Sequence, residues 1–227
     1  MELPQISSET ALVVVDMQND FVRLGAPMEV SAARNTIPRI ALLATAFREL
    51  DLPVVFTRFL SGPAEVLLWR WSPECAPPVC ACWRGFRRSY GDLVGDRDCS
   101  AVVDELAPLP EDEVVVKYHY DAFYNTALED VLRACGIRSV VVVGTVTQIC
   151  VADTVHGAFH RGLEAVVVDD AVSSYDEELH RVALRNIALK YGWVMSAHDV
   201  LAQFGSVPTD AIAQAEGGQV VKGHLEE

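Results

Sequence analysis

Three residues of this chain are of types that chemistry could use. Asp16 closes "VVVDM", Lys117 closes "EVVVK", and Cys150 follows "VVVVGTVTQ" in "VVVVGTVTQICVADTVHGAFHRG". A thiolate is a strong nucleophile, but a free thiol is mostly protonated at neutral pH. A helix N-terminus and a nearby ammonium would both lower the thiol's pKa. Asp16 could take the thiol proton and return it to a leaving amine, and amides at the helix start could hold an oxyanion. Taken singly, each residue has a bland reading: a cap or turn Asp, a solvated Lys, a small core Cys. Together they form a set suited to nucleophilic hydrolysis, and Cys150 is expected to be the first thiol that iodoacetamide modifies.

The elements that must position them alternate. Strands are expected at Ala11–Met17, Leu52–Phe59, Glu113–Tyr118, Ser139–Gly144, in "EAVVVDD" and in "WVMSA". Helical spacing covers Ile37–Leu50, "NTALEDVLRACG" with Asn125 or Thr126 at its start, about Ile149–Arg161, "DEELHRVALRNIALKYG" and a short closing "HDVLAQFG". This alternation predicts an α/β fold, one doubly wound domain with a mainly parallel sheet and helices on both faces. Glu113–Tyr118 is expected to be central. Ligands in such sheets sit beyond the carboxyl ends of the strands, and Asp16, Lys117 and Cys150 share that edge if their strands are neighbours.

Composition sets the bounds. With 227 residues, 51% of them apolar, the chain can bury one sizeable core. Its net charge of −14 argues against a nucleic-acid partner. No window holds the roughly 18 unbroken apolar residues of a membrane span. The opening "MELPQISSET" lacks a signal-peptide pattern, so six reduced cysteines and a cytoplasmic location are expected. The domain is expected over 1–205, with a loop or lid insertion at about 61–110, and 206–227 as a flexible tail.

The blocks "VVVDMQNDF", "VVVKYHYDAFYNTALEDVLRACGI" and "VVVVGTVTQICVADTVHGAFHRG" resemble those of the isochorismatase-like cysteine hydrolases, in the family's order and spacing. The group includes nicotinamidases, N-carbamoylsarcosine amidases, ureidoacrylate and biuret hydrolases, and isochorismatases. The resemblance runs from about Thr10 to Phe204. It implies a triad of Asp16, Lys117 and Cys150, a cis peptide between Thr145 and Val146, and an oxyanion hole from the amides of Val146 and Cys150. It also implies substrate-flanking positions at Gln18, Phe21, Tyr124 and Thr147, and a dimer or tetramer. After the second strand "TRFLSGPAEV" lacks the Asp and His residues with which nicotinamidases hold a metal, so neither metal nor cofactor is expected. The implied reaction is C–N hydrolysis of a small amide, ureido or carbamoyl compound. A vinyl-ether hydrolysis with Asp16 as general acid stays open.

Other residues in the insertion and nearby are secondary candidates. Cys75, Cys80, Cys82 and Cys99 lack zinc-site spacing and read as free thiols of a lid. Arg84, Arg87 and Arg88 could meet an anionic substrate, or pair with the protein's own carboxylates. Trp69, Trp71 and Trp83 could line a pocket or an interface. His119 and Tyr120 could touch substrate, whereas His156 and His160 read as packing or surface residues.

Overall fold

The computed structural model describes residues 4–204; the tail expected at 206–227 lies outside them. Valine-rich runs form the sheet. The strands are β1 (Thr10–Val15), β2 (Val54–Phe59), β5 (Glu113–Lys117), β6 (Ser139–Thr145), β7 (Glu164–Ser173) and β8 (Trp193–Met195). They pair in parallel in the order β5-β2-β1-β6-β7-β8. β1 and β6 sit at the centre and are buried along their whole length. That is why they read as unbroken apolar runs rather than as alternating ones.

Side-chain alternation divides the core in two. Leu12 and Val14 of β1, with Val141 and Val143 of β6, pack with Ile40, Leu43 and Phe47 of α2 (Ala33–Glu49). The same layer takes in Val200 and Leu201 of α6 (Ala197–Ala202). Ala11, Val13, Val140 and Val142 face the opposite layer. That layer holds Leu128 and Leu132 of α3 (Leu128–Ala134), Val155 of α4 (Ala152–His160) and Ile187 of α5 (Glu177–Lys190). Burying each such aliphatic side chain contributes about 1.5–3 kcal/mol. Caps fix some helix starts: the Asp176 carboxylate accepts from Leu179 N, and Ser196 Oγ accepts from Asp199 N.

From β1 the chain winds outward through β2 to β5; from β6 it winds the other way through β7 to β8. The reversal lies between β1 and β6, and a crevice opens at their carboxyl ends. β5 is an edge strand rather than a central one, because β6 occupies the other side of β1. Lys117 and Asp16 are therefore separated by the width of β2.

The segment expected as a lid is ordered. After 3₁₀ turns at Leu67–Arg70 and Pro73–Cys75 comes an antiparallel ribbon of β3 (Arg87–Arg88) and β4 (Arg97–Asp98), then a third 3₁₀ turn at Asp104–Leu106. Cys75, Cys80, Cys82 and Cys99 are buried free thiols in it. Arg88 pairs with Asp20 of the short helix α1 (Asn19–Val22), and Trp69 stacks on Trp83 with centroids 6.0 Å apart.

Candidate active site

Asp16 is the first residue past β1. Its φ of +49° turns the chain sharply, a left-handed conformation that costs a typical residue about 1–2 kcal/mol and Asp less than most. The turn is held by Thr57 of β2. The Asp16 N–H donates to Thr57 Oγ1 at 3.1 Å, and that hydroxyl donates to Asp16 Oδ1 at 2.6 Å. Oδ2 lies 2.7 Å from Lys117 Nζ, with both side chains wholly buried. No other donor is aimed at Oδ2 among the described residues.

Lys117 reaches this point by passing its stem over the end of β2, with Nζ 5.2 Å from the Phe59 ring centroid. The ammonium also donates to the carbonyls of His119 and Tyr120, each at 3.0 Å. Burial alone would lower the Lys117 pKa; the Asp16 carboxylate and the Cys150 sulfur outweigh it and raise the value. The group stays charged. A long side chain thus closes the gap that strand order had opened.

Cys150 sits in a π-helical turn, Thr147–Val151, between β6 and α4. The turn follows a cis peptide between Thr145 and Val146. Asp16 and Lys117 are both near enough to the thiol to act on its ionisation. Burial pushes its pKa up to about 12; Lys117 opposes the rise and Asp16 adds to it. The resting sulfur is therefore a thiol, which corrects the expectation of a lowered pKa: helix start and ammonium do not outweigh the loss of water.

Above the thiol lies a cavity of about 300 Å³, walled by Phe21, Phe59, Tyr120, Val146, Ile149 and Tyr175. It opens into a vestibule of about 810 Å³ that shares Ser72, Tyr120, Ile149 and Tyr175 with it. Tyr124 and Trp71 line the vestibule, not the cavity. Two expected substrate neighbours lie elsewhere. The Gln18 amide donates to the Phe59 and Ser100 carbonyls and accepts from Phe59 N, so its capacity is spent on scaffold. Thr147 is buried, and its hydroxyl meets His180 Nδ1 at 2.8 Å. Thr57 was not singled out from the sequence; a lone hydroxyl in the apolar strand "VVFTRF", level with the end of β1, is the signal it left.

Residues 10–199 match the isochorismatase domain family. The chain is 35% identical to the ureidoacrylate amidohydrolase RutB of Pseudomonas syringae pv. syringae over 215 residues, covering 88% of this chain and 85% of that protein. A cysteine hydrolase from Pseudomonas syringae pv. phaseolicola superposes with a TM-score of 0.78 at 24% identity, covering 90% of this chain and 99% of that one, a likeness of fold alone. N-carbamoylsarcosine amidase from Thermoplasma acidophilum gives a TM-score of 0.66 at 30% identity, covering 83% and 96%. With the parallel sheet and the residues gathered at its central crevice, these matches establish that the chain is a hydrolase of the isochorismatase family.

Proposed function

We propose that the protein hydrolyses a C–N bond of a small amide, ureido or carbamoyl compound through a thioester on Cys150. The observation that carries this is the wholly buried Asp16–Lys117 pair, 2.7 Å apart, beside a cavity lined by Cys150 and near enough to its thiol to act on it electrostatically. The ureidoacrylate and N-carbamoylsarcosine chemistry named for its relatives supports the same bond class.

The roles follow from the contacts. Cys150 Sγ attacks the carbonyl carbon while its proton passes to Asp16 Oδ2, the carboxylate oxygen with no other donor aimed at it. Lys117 holds the carboxylate in place and offsets the charge that grows on sulfur as the proton leaves. The backbone N–H groups of Val146 and Cys150 receive the oxyanion. As the tetrahedral adduct collapses, the C–N bond breaks and the nitrogen departs with the proton from Asp16. Water then gives a proton to Asp16 and adds to the thioester; the C–S bond breaks and the proton returns to sulfur. Phe21 packs against the reacting group, and Tyr124 meets substrate on its way in.

The test is Cys150→Ser assayed for ammonia or carbamate release from ureido acids, biuret-like compounds and nicotinamide, with isochorismate alongside. A loss of about a thousandfold or more is expected for C–N cleavage. Undiminished release would overturn the nucleophilic role, and isochorismate turnover that survives the change would favour ether hydrolysis by Asp16. The same reading takes the enzyme to be cytoplasmic, in keeping with six free thiols of which five are buried. It also takes the enzyme to be a homo-oligomer, dimer or tetramer, for which the exposed Phe159, Val182 and Leu189 of the α4–α5 face offer surface.

A further inference from the structure

We propose that the cavity selects by charge, favouring neutral or cationic amide and ureido compounds over carboxylate-bearing ones, with Glu74 as the specificity-determining residue. The proposal rests on the C–N hydrolase reading and adds the charge of the substrate to it.

Neither arginine nor lysine lines the cavity or the vestibule among the described residues. The one cation below the floor, Lys117, is matched by Asp16. Two glutamates line the cavity, Glu29 and Glu74. Glu29 is neutralised: Arg34 pairs with it at 2.8 Å, and Gly25 N donates to it at 2.8 Å. Glu74 has neither an ion-pair partner nor a hydrogen bond to its carboxylate among the described residues, so no neighbour offsets the charge of this cavity-lining residue. The vestibule adds Asp121 and Asp153. A narrow cleft with one sign of charge and low-dielectric walls concentrates that field, and the protein's net charge of −14 extends it outward.

The three arginines that could have reversed this are engaged elsewhere or outside the site. Arg88 pairs with buried Asp20 and donates to the Val79 carbonyl; Arg87 donates to the Asp96 carbonyl. Arg84 is exposed and lines neither space. Recognising a substrate carboxylate takes a guanidinium fork or an ammonium in the pocket, and this cavity is lined by glutamates instead. Ureidoacrylate, the substrate in the relative's name, carries a carboxylate; on this proposal the present chain shares the bond class and prefers an uncharged or cationic substrate.

The test compares a ureido-amide, a ureido-amine and a ureido-acid of one chain length on the full-length enzyme. The acid is expected to show a kcat/KM lower than the amide by about tenfold or more, because one unscreened like charge is worth that much at such range. Glu74→Gln, which keeps the shape, should raise turnover of the acid about fivefold and leave the amide within about twofold. A wild-type preference for the acid, or equal effects of the variant on all three, overturns the proposal. Alkylation of Cys150 by iodoacetamide and by iodoacetate, read by peptide mass and normalised to glutathione, measures the same field without turnover. Iodoacetate should be disfavoured and Glu74→Gln should relieve it; equal normalised rates in the wild type overturn the charge selection. If none of the three compounds is cleaved the proposed ureido C–N cleavage fails, and the alkylation ratio still decides the question of charge.

Discussion

Cys150 shows how one residue's surroundings can reverse what its neighbours in sequence imply. A thiol at a helix start beside a lysine should ionise easily, yet burial pushes it up to about 12 and the Asp16 carboxylate reinforces that. Removing water costs an anion more than one ammonium returns, all the more when that ammonium is already paired. In the proposed mechanism the sulfur is therefore activated only as substrate arrives and Asp16 takes its proton. Reactivity toward a plain alkylating agent should therefore follow exposure. Cys135, the one exposed thiol of the six, is expected to be modified first by iodoacetamide at neutral pH, with Cys150 trailing by about tenfold or more. Peptide mapping over a time course checks this, and modification of Cys150 first would show that its thiolate is populated in the free enzyme. The linkage runs in the same direction. A thiol whose folded pKa is raised favours the folded state below its ordinary value of 9.0, and that contribution is lost as pH climbs toward 12.

At the scale of elements, the strands were legible and their neighbours were not. Runs such as "LVVV" and "VVVV" name buried strands by composition alone, and all six expected strands are present. Strand order depends on pairings between distant segments, which periodicity does not record, so the sequence alone does not reveal that β5 is an edge strand. Lys117 still meets Asp16 because a lysine stem is long enough to cross β2. The clasp of Thr57 on Asp16 and the scaffold role of Gln18 stayed hidden for a related reason: each is a bond between segments about forty residues apart. Gly144 was legible only as the end of a strand. It has a φ of +111°, and a Cβ there would lie 2.1 Å from the Val15 carbonyl oxygen and 2.8 Å from Val15 N. β6 thus leaves no room for a side chain one residue before Thr145, where it faces the backbone one residue before Asp16, and only glycine fits. Gly144→Ala is expected to cost about 3 kcal/mol or more, through backbone strain and a contact that rigid neighbours cannot relieve. Urea unfolding measures it; a midpoint unchanged from wild type would show that the two strands can part without harm.

At the scale of the whole molecule, the insertion and the sheet act as one body because they share a buried anion. Asp20 of α1 is fully buried, accepts from Cys82 N at 2.8 Å and Tyr90 Oη at 2.7 Å, and faces Arg88 at 3.1 Å. Those three partners come from the insertion, and the same segment supplies Ser72 and Glu74 to the cavity wall. Losing this anchor should therefore damage both stability and the site. Two substitutions separate hydrogen bonding from charge. Asp20→Ala strands three polar groups and is expected to cost about 3–5 kcal/mol, the range for breaking a buried charged pair. Asp20→Asn keeps an acceptor for Cys82 N or the Tyr90 hydroxyl and should cost about 1–2 kcal/mol. Burial raises the Asp20 pKa above 3.8, although the Cys82 amide, Tyr90 and Arg88 all pull it down. The folded state accordingly holds that proton more tightly than the unfolded chain does. Its contribution to stability is fullest below 3.8 and declines as pH rises through the raised value, so the Asn variant should lose that part of the wild-type pH dependence. Denaturant midpoints of the three proteins across acid pH measure both effects. Equal losses for Ala and Asn would assign the anchor to charge alone, and no loss for either would mean that the insertion is held by its apolar contacts, with the buried ion pair incidental to how the cavity wall is built.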